Sequence, residues 1–239
     1  MSARPAPARA SERTPPQQLR LPLESHGVSE ALVESACNAE AMRVLARWPD
    51  GVGSVLALSG PAGSGKSRLA AAWAERVGAM ALHGAEAALI DPAELEGRPV
   101  LLDRAQDADD ESLFHLINLA AAGGGALLLV SRDPPRAWPS ALPDLRSRLD
   151  AIRAVAVEAP DDAVMAAILR TRFVERSITP SEDVIDYLVR RLDRSADAAS
   201  RAVDRLDALH RPVTRALARL ALDKDSSDAS DGNPPPGAA

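Results

Sequence analysis

The chain reads as an α/β fold, a parallel sheet flanked by helices, followed by a smaller all-helical lid. Three observations predict it. Short apolar runs alternate with helical patterns across residues 28–158. The first of these runs leads straight into Gly60-Pro61-Ala62-Gly63-Ser64-Gly65-Lys66-Ser67, a glycine-rich turn that opens a helix. From residue 159 to residue 222 the pattern is helical throughout.

The elements follow in chain order. Residues 1–27 are rich in Pro, Ala, Arg and Ser, lack hydrophobic periodicity and read as a disordered tail. A helical pattern covers Ser35–Trp48. Strands are predicted over Val55–Ser59, Met80–His83, Val100–Asp103, Ala126–Ser131 and Ile152–Val157, with helices over Lys66–Val77 and Asp110–Ala122 between them. In the lid, Thr179-Pro180-Ser181-Glu182 reads as a helix start, with Thr179 as N-cap, Pro180 at the first helical position and Glu182 three residues after the cap. Pro212 opens the last helix in the same way. Residues 223–239 are rich in Asp, Ser, Gly and Pro and read as a disordered acidic tail.

The turn at Gly60–Ser67 has the spacing G-x-x-x-x-G-K-S, a phosphate-binding P-loop in a strand-to-helix context. Gly60, Gly63 and Gly65 let the backbone fold back and aim N–H groups, that of Ser64 among them, at phosphate oxygens. Lys66 brings a compact positive charge to the outer phosphates, and the Ser67 hydroxyl can ligate Mg²⁺. The chain has only two lysines, Lys66 and Lys224; its other 26 basic residues are arginine. One of the two thus falls where a phosphate site needs a point charge rather than a fork. The expected ligand is a nucleoside triphosphate or diphosphate with Mg²⁺.

Such a fold needs an acid at a neighbouring strand end to hold the metal, and Asp103, closing Val100-Leu101-Leu102, fits. The next residue is Arg104, which cannot accept a proton from an attacking water. Tight nucleotide binding with weak intrinsic hydrolysis is therefore expected.

Composition narrows the classes. With 46% hydrophobic residues in 239, a sizeable core is available. A net charge of −6 argues against a protein that coats nucleic acid. The single cysteine, Cys37, excludes an internal disulfide framework and fits a reducing cytoplasm. No signal peptide or membrane span is expected, since Gly123-Gly124-Gly125 interrupts the longest apolar stretch.

The order of P-loop, Asp103 strand, a strand ending Val130-Ser131-Arg132-Asp133 and a helical lid resembles the AAA+ family. Ser131-Arg132-Asp133-Pro134-Pro135, Leu142-Pro143-Asp144-Leu145-Arg146-Ser147-Arg148-Leu149, Asn38-Ala39-Glu40-Ala41 and Arg47-Trp48-Pro49-Asp50 narrow the resemblance to the DnaA-related branch, especially its short Hda-like members without a DNA-binding domain. The resemblance spans about Gln18 to Leu222. It implies that Arg148 is an arginine finger reaching a neighbour's nucleotide, that Ser131 occupies the sensor 1 position, that Arg205 on the sensor 2 helix faces the phosphates, and that Leu32 and Val33 line the adenine. A solvated basic edge is the alternative for Arg148, and an ordinary strand-end cap for Ser131. Trp48, Trp73 and Trp138 are expected to pack in the core or its shell.

Gln18-Leu19-Arg20-Leu21-Pro22-Leu23 sets three leucines and a proline in an otherwise polar tail. Exposed, it is an apolar patch suited to a groove, and Pro22 lowers its ordering cost on binding. Alternatively, its leucines staple the tail to the core. It resembles the motif that binds the β sliding clamp (DnaN), in which Gln18 meets the pocket rim and Leu19, Leu21, Pro22 and Leu23 fill the groove. The family resemblance implies a cytoplasmic, replisome-associated negative regulator that stimulates ATP hydrolysis by the DnaA initiator and reaches DNA mainly through the clamp, with self-association an open question. The competing reading is an ATP-driven DNA motor or a helicase or transposase loader; Arg104 and the negative charge weigh against it.

Overall fold

The structure is a computed structural model that describes residues 32–49, 54–123 and 125–228, with no side-chain description for 92, 93 and 223–228. The hexapeptide Gln18–Leu23 lies outside the described residues. Five parallel strands form one sheet: β1 (Val55–Ser59), β2 (Met80–His83), β3 (Val100–Asp103), β4 (Leu127–Ser131) and β5 (Arg153–Ala156), in the order β2-β3-β4-β1-β5. In register, Ser59 lies beside Ser131, and His83 beside Asp103. All five strands were anticipated within two residues at each end.

Both faces of the sheet are covered, so the strands are nearly continuous hydrophobic runs rather than alternating ones. Side-chain alternation then divides each strand between two cores. Ala57, Leu102, Leu127 and Leu129 point to one face and pack with Leu113, Leu116 and Ile117 of α3 (Asp110–Gly123) and with Leu145 and Leu149 of α4 (Pro143–Ala151). Leu56, Leu58, Leu101, Leu128 and Val130 point to the other face and pack with Ala41 and Leu45 of α1 (Ala39–Arg47) and with Leu69, Ala70 and Trp73 of α2 (Lys66–Val77). Each such fully buried leucine contributes roughly 1.5–3 kcal/mol relative to exposure.

The three tryptophans are packing residues, as expected. Trp48 and Trp73 lie with ring centroids 5.0 Å apart, and the Trp73 indole N–H donates to the Trp48 carbonyl at 3.2 Å. The Trp138 N–H donates to the Asp133 carbonyl at 2.8 Å.

The lid holds α5 (Asp162–Glu175), α6 (Glu182–Arg191), α7 (Ala196–Asp207) and α8 (Arg215–Asp228) around a third core built on Met165, Leu169, Phe173, Ile185, Leu188, Val203 and Leu206. Three details differ from the sequence expectation. The cap of α6 is Ser181, not Thr179, so Pro180 precedes the helix. The last helix starts at Arg215 rather than at Pro212, because the Thr214 hydroxyl accepts the Leu217 N–H at 3.3 Å and caps it. That helix continues to Asp228, into the stretch read as the acidic tail. No helix among the described residues is long and apolar enough to cross a membrane.

Candidate nucleotide site

The site lies at the carboxyl ends of the parallel strands, where β1 is flanked by β4 on one side and β5 on the other. In open α/β sheets this is where ligands are bound. Gly60 leaves β1 with φ +152°, and its N–H donates to the Arg132 carbonyl at 2.9 Å. A Cβ on Gly60 would collide with the Val157 carbonyl, so only glycine lets the loop pass between the ends of β4 and β5.

Gly63 (φ +71°) and Gly65 (φ +89°) complete the turn, and α2 begins at Lys66 with no acidic residue in its first turn. The helix therefore presents its free N–H groups and positive dipole end to an anion. The Lys66 ammonium donates to the Pro61 carbonyl at 2.7 Å and to the Ser64 hydroxyl at 3.2 Å, curled within the loop. Burial holds its pKa below the ordinary lysine value; Asp103 opposes that shift and Arg132 adds to it. Lys66 thus lies close enough to Asp103 and to Arg132 to feel both charges.

Asp103 closes β3, and one of its carboxylate oxygens accepts the Arg104 N–H at 2.9 Å. Arg104 follows in the left-handed region (φ +50°) with its side chain exposed. This donor set fits a magnesium ion: the Ser67 hydroxyl in the first turn of α2 and the Asp103 carboxylate would supply hard oxygen ligands beside the bound phosphates. When bound, the ion would neutralise charge on the outer phosphates. The residue beside Asp103, Arg104, carries no carboxylate.

Of the two sensor candidates, Ser131 closes β4 beside the strand that leads into the P-loop, and Arg205 lies in the last turn of α7. Ser131 is 3% exposed, and its hydroxyl donates to the Asp133 carbonyl at 2.7 Å, closing its own turn. The lid meets the P-loop through the start of α7: the Ala196 N–H donates to the Gly63 carbonyl at 3.0 Å, and a Cβ on Gly63 would lie 2.6 Å from the Ser195 Cβ. Ser195 caps this helix, accepting the Ala198 N–H at 3.1 Å. Arg205 lies ten residues further along α7, about 15 Å at 1.5 Å per residue. Arg205 thus stands at the opposite end of α7 from the residue that meets the loop, and the neighbouring Asp204 pairs with Arg176, which caps the end of α5.

Leu32 packs against the second core, and Val33, 38% exposed, gives its carbonyl to the Asn38 side chain at 2.9 Å. The segment is tied to the start of the lid. Glu158 N–H donates to the Cys37 carbonyl at 2.9 Å, and the Ser35 hydroxyl bonds to the Asp161 carboxylate. Arg148 sits in the last turn of α4, exposed, over the ring of Phe114. Sequence reasoning missed two participants. Arg132 follows a residue that drew attention to itself, and Ser195 carried an N-cap signal ahead of an Ala-rich helix.

No protein-family model matches the chain. In sequence it is similar to the chromosomal replication initiator protein DnaA of Thermomicrobium roseum, 30% identical over 121 residues, which are 49% of this chain and 26% of that protein. The match thus spans about a quarter of the relative's length. In structure it is similar to domain III of the Thermotoga maritima replication initiation protein DnaA, with a TM-score of 0.68 at 18% identity, covering 81% of this chain and 94% of that one. It is also similar to AMPPCP-bound DnaA from Aquifex aeolicus, with a TM-score of 0.59 at 18% identity over 74% and 64% of the two chains. The fold is therefore that of an AAA+ P-loop domain resembling DnaA domain III.

Proposed function

We propose that the chain is a nucleotide-dependent negative regulator of replication initiation, of the short Hda-like kind. Adenine nucleotide, ADP or ATP with Mg²⁺, occupies the loop between Gly60 and Ser67, with Leu32 and Val33 beside the base. The peptide Gln18-Leu19-Arg20-Leu21-Pro22-Leu23 docks in the groove of a DNA-loaded sliding clamp. Arg148 then enters the composite site of ATP-bound DnaA and stabilises the charge that develops on the transferred phosphoryl group. Supplied in trans, such an arginine is worth ~10³–10⁵ in rate.

The observation that carries this reading is the pairing of an incomplete site with an exposed cation. Arg104 stands where a water-activating acid would help hydrolysis at the chain's own P-loop, while Arg148 projects from α4 on a DnaA-like body. The proposed division is a nucleotide-binding domain of 28–158 and a lid of 159–222; the bond from the Ala196 N–H, at the start of α7, to the Gly63 carbonyl supports a lid that senses the phosphate loop.

The test is turnover of ATP pre-bound to DnaA, measured with clamp loaded on DNA, with and without this protein. Stimulation that disappears in Arg148→Ala, while nucleotide and clamp binding persist, is the expected result. Stimulation that survives Arg148→Ala removes the finger assignment. Rapid ATP turnover by this protein alone would favour a motor or loader instead.

A further inference from the structure

We propose that Arg43, Arg47 and Arg153 form a contact site for the phosphate backbone of duplex DNA, at the end of the sheet opposite the nucleotide loop. The inference goes beyond the reading above, which brings DNA to the chain only through the clamp. Its tethering argument rests on that reading, and its binding test does not.

Helix α1 carries Arg43 and Arg47 four residues apart, on one face. Arg153 opens β5, the strand at one edge of the sheet. The three line one cavity of about 760 Å³ between helix and strand. Because β5 runs parallel to β1, its first residue lies at the end away from Gly60–Ser67, so this cavity and the nucleotide site can be filled together. All three side chains are exposed. Among the described residues none of them is in an ion pair, whereas Arg170, Arg172, Arg176 and Arg194 of the lid each meet a carboxylate. Glu40 is the one carboxylate on the described lining. The Arg43 Nε donates to the Ala39 carbonyl at 3.2 Å, one turn back along its own helix. The last turn of α1 would present negative carbonyl dipoles to an anion. The Arg76 guanidinium offsets them, donating to the Leu45 and Trp48 carbonyls at 2.7 and 2.6 Å.

The charge of the lining calls for an anion, and guanidinium forks suit phosphate oxygens. Duplex DNA carries one negative charge per ~1.7 Å of its axis, so neighbouring phosphates can answer cations on a helix and a strand at once. An acidic peptide fits less well. Tight peptide sites are built on apolar or aromatic anchors in pockets, and the largest apolar side chain on this lining, Trp48, is 1% exposed and packed on Trp73. The net charge of −6 weighs against coating DNA but not against one local contact. A few phosphate contacts bind weakly in free solution, and a second attachment strengthens them by raising the effective concentration to about the millimolar range. The clamp peptide ends at Leu23, nine positions before Leu32, and nine residues of chain reach at most about 32 Å. Leu32 packs against the same core as Ala41 and Leu45 of α1. A body held by that peptide on a DNA-loaded clamp is thereby confined near the duplex.

The experiment is fluorescence anisotropy of a labelled short duplex titrated with the full chain over a series of salt concentrations, without clamp. With three phosphates neutralised, log K for the parent should fall against log salt with a slope of about −2.7. Arg43→Gln with Arg47→Gln should weaken low-salt binding about tenfold or more and bring the slope to about −0.9, and Arg153→Gln alone should bring it to about −1.8. Arg190→Gln with Arg211→Gln, an equal loss of charge from exposed lid residues, should leave the slope at the parent's value. Each variant should keep the parent's melting temperature. Undiminished binding by Arg43→Gln with Arg47→Gln, or an equal drop in the lid control, overturns the site. Loss of binding to DNA-free clamp in the Arg43, Arg47 and Arg153 variants would assign the cluster to an acidic protein surface and overturns it as well. Leu21→Ala with Leu23→Ala separates the two readings: it should lose the clamp and keep the naked duplex, so failure of clamp docking leaves the DNA result standing.

Discussion

The guanidinium carbon of Arg148 lies 5.3 Å from the ring centroid of Phe114, linking the last turn of α4 to the second turn of α3. Phe114 also packs against the first core, so the ring is an anchored platform rather than a loose contact. A cation over a ring at an exposed site is worth about 0.5–1 kcal/mol. Phe114→Leu, which keeps bulk and loses the ring face, should lower stimulation of DnaA-bound ATP hydrolysis roughly two- to fivefold. Phe114→Tyr should restore it. The check is a single-turnover comparison at saturating protein, where equal rates for the leucine and tyrosine variants would show that the ring does not hold Arg148.

Nucleotide affinity should depend on alkaline pH through Lys66. Burial lowers its pKa from the ordinary lysine value, so the ammonium loses its proton at lower pH than an exposed lysine does. Phosphate favours the charged form. Affinity should therefore fall as pH rises through the lowered pKa, with proton uptake on binding in that window. Titration of ADP from neutral to alkaline pH in buffers of different ionisation heat measures both. A flat profile up to the ordinary lysine range would show that Lys66 does not contact the phosphates.

Clamp docking should be separable from the body. Leu21→Ala with Leu23→Ala changes a segment proposed to dock on a partner, so the melting temperature should stay within about 2 °C of the parent. Binding to clamp loaded on DNA should fall at least tenfold, because each buried leucine side chain is worth about 1.5–3 kcal/mol. Surface-immobilised clamp measures the loss, and undiminished binding would assign those leucines to the tail alone.

Asp161 ties three parts of the molecule. Its carboxylate caps α5 by accepting the Val164 N–H at 3.0 Å, bonds the Ser35 hydroxyl and lies against Cys37. Burial pushes its pKa up, yet the bonds from Ser35, Val164 and Cys37 outweigh this and leave it below the ordinary aspartate value. A lowered carboxylate pKa adds stability that is full above the unfolded value near 3.9 and is lost as pH falls through the folded one. Asp161→Ala should cost about 1 kcal/mol at neutral pH through the lost cap. It should also flatten the acid limb of the stability curve. Urea melts at pH 7 and pH 3 test both, and parallel loss at the two pH values would contradict the ionic role.

Much of this molecule is legible in residue order. The strands are readable because a sheet covered on both faces demands short, almost wholly apolar runs, and Val55–Ser59, Val100–Asp103 and Leu127–Ser131 are such runs. The phosphate loop is readable because its glycines are forced by backbone geometry. Helix α4 has its own signal in Pro143 at its first turn and in Leu145 and Leu149, four apart and both buried. Arg205 shows the limit most clearly. The sequence places it on the correct helix, but which end of α7 meets Gly63 depends on how the lid packs, and periodicity does not encode that.

The bond between the Ala196 N–H and the Gly63 carbonyl makes the phosphate loop and the lid one mechanical part. Helix α7 is 12 residues long, a rigid arm of about 18 Å whose pivot is the loop itself. The far end of that arm, at Asp204 and Arg205, is therefore joined to the phosphate loop through a single helix whose Ala199, Val203 and Leu206 also knit the lid core.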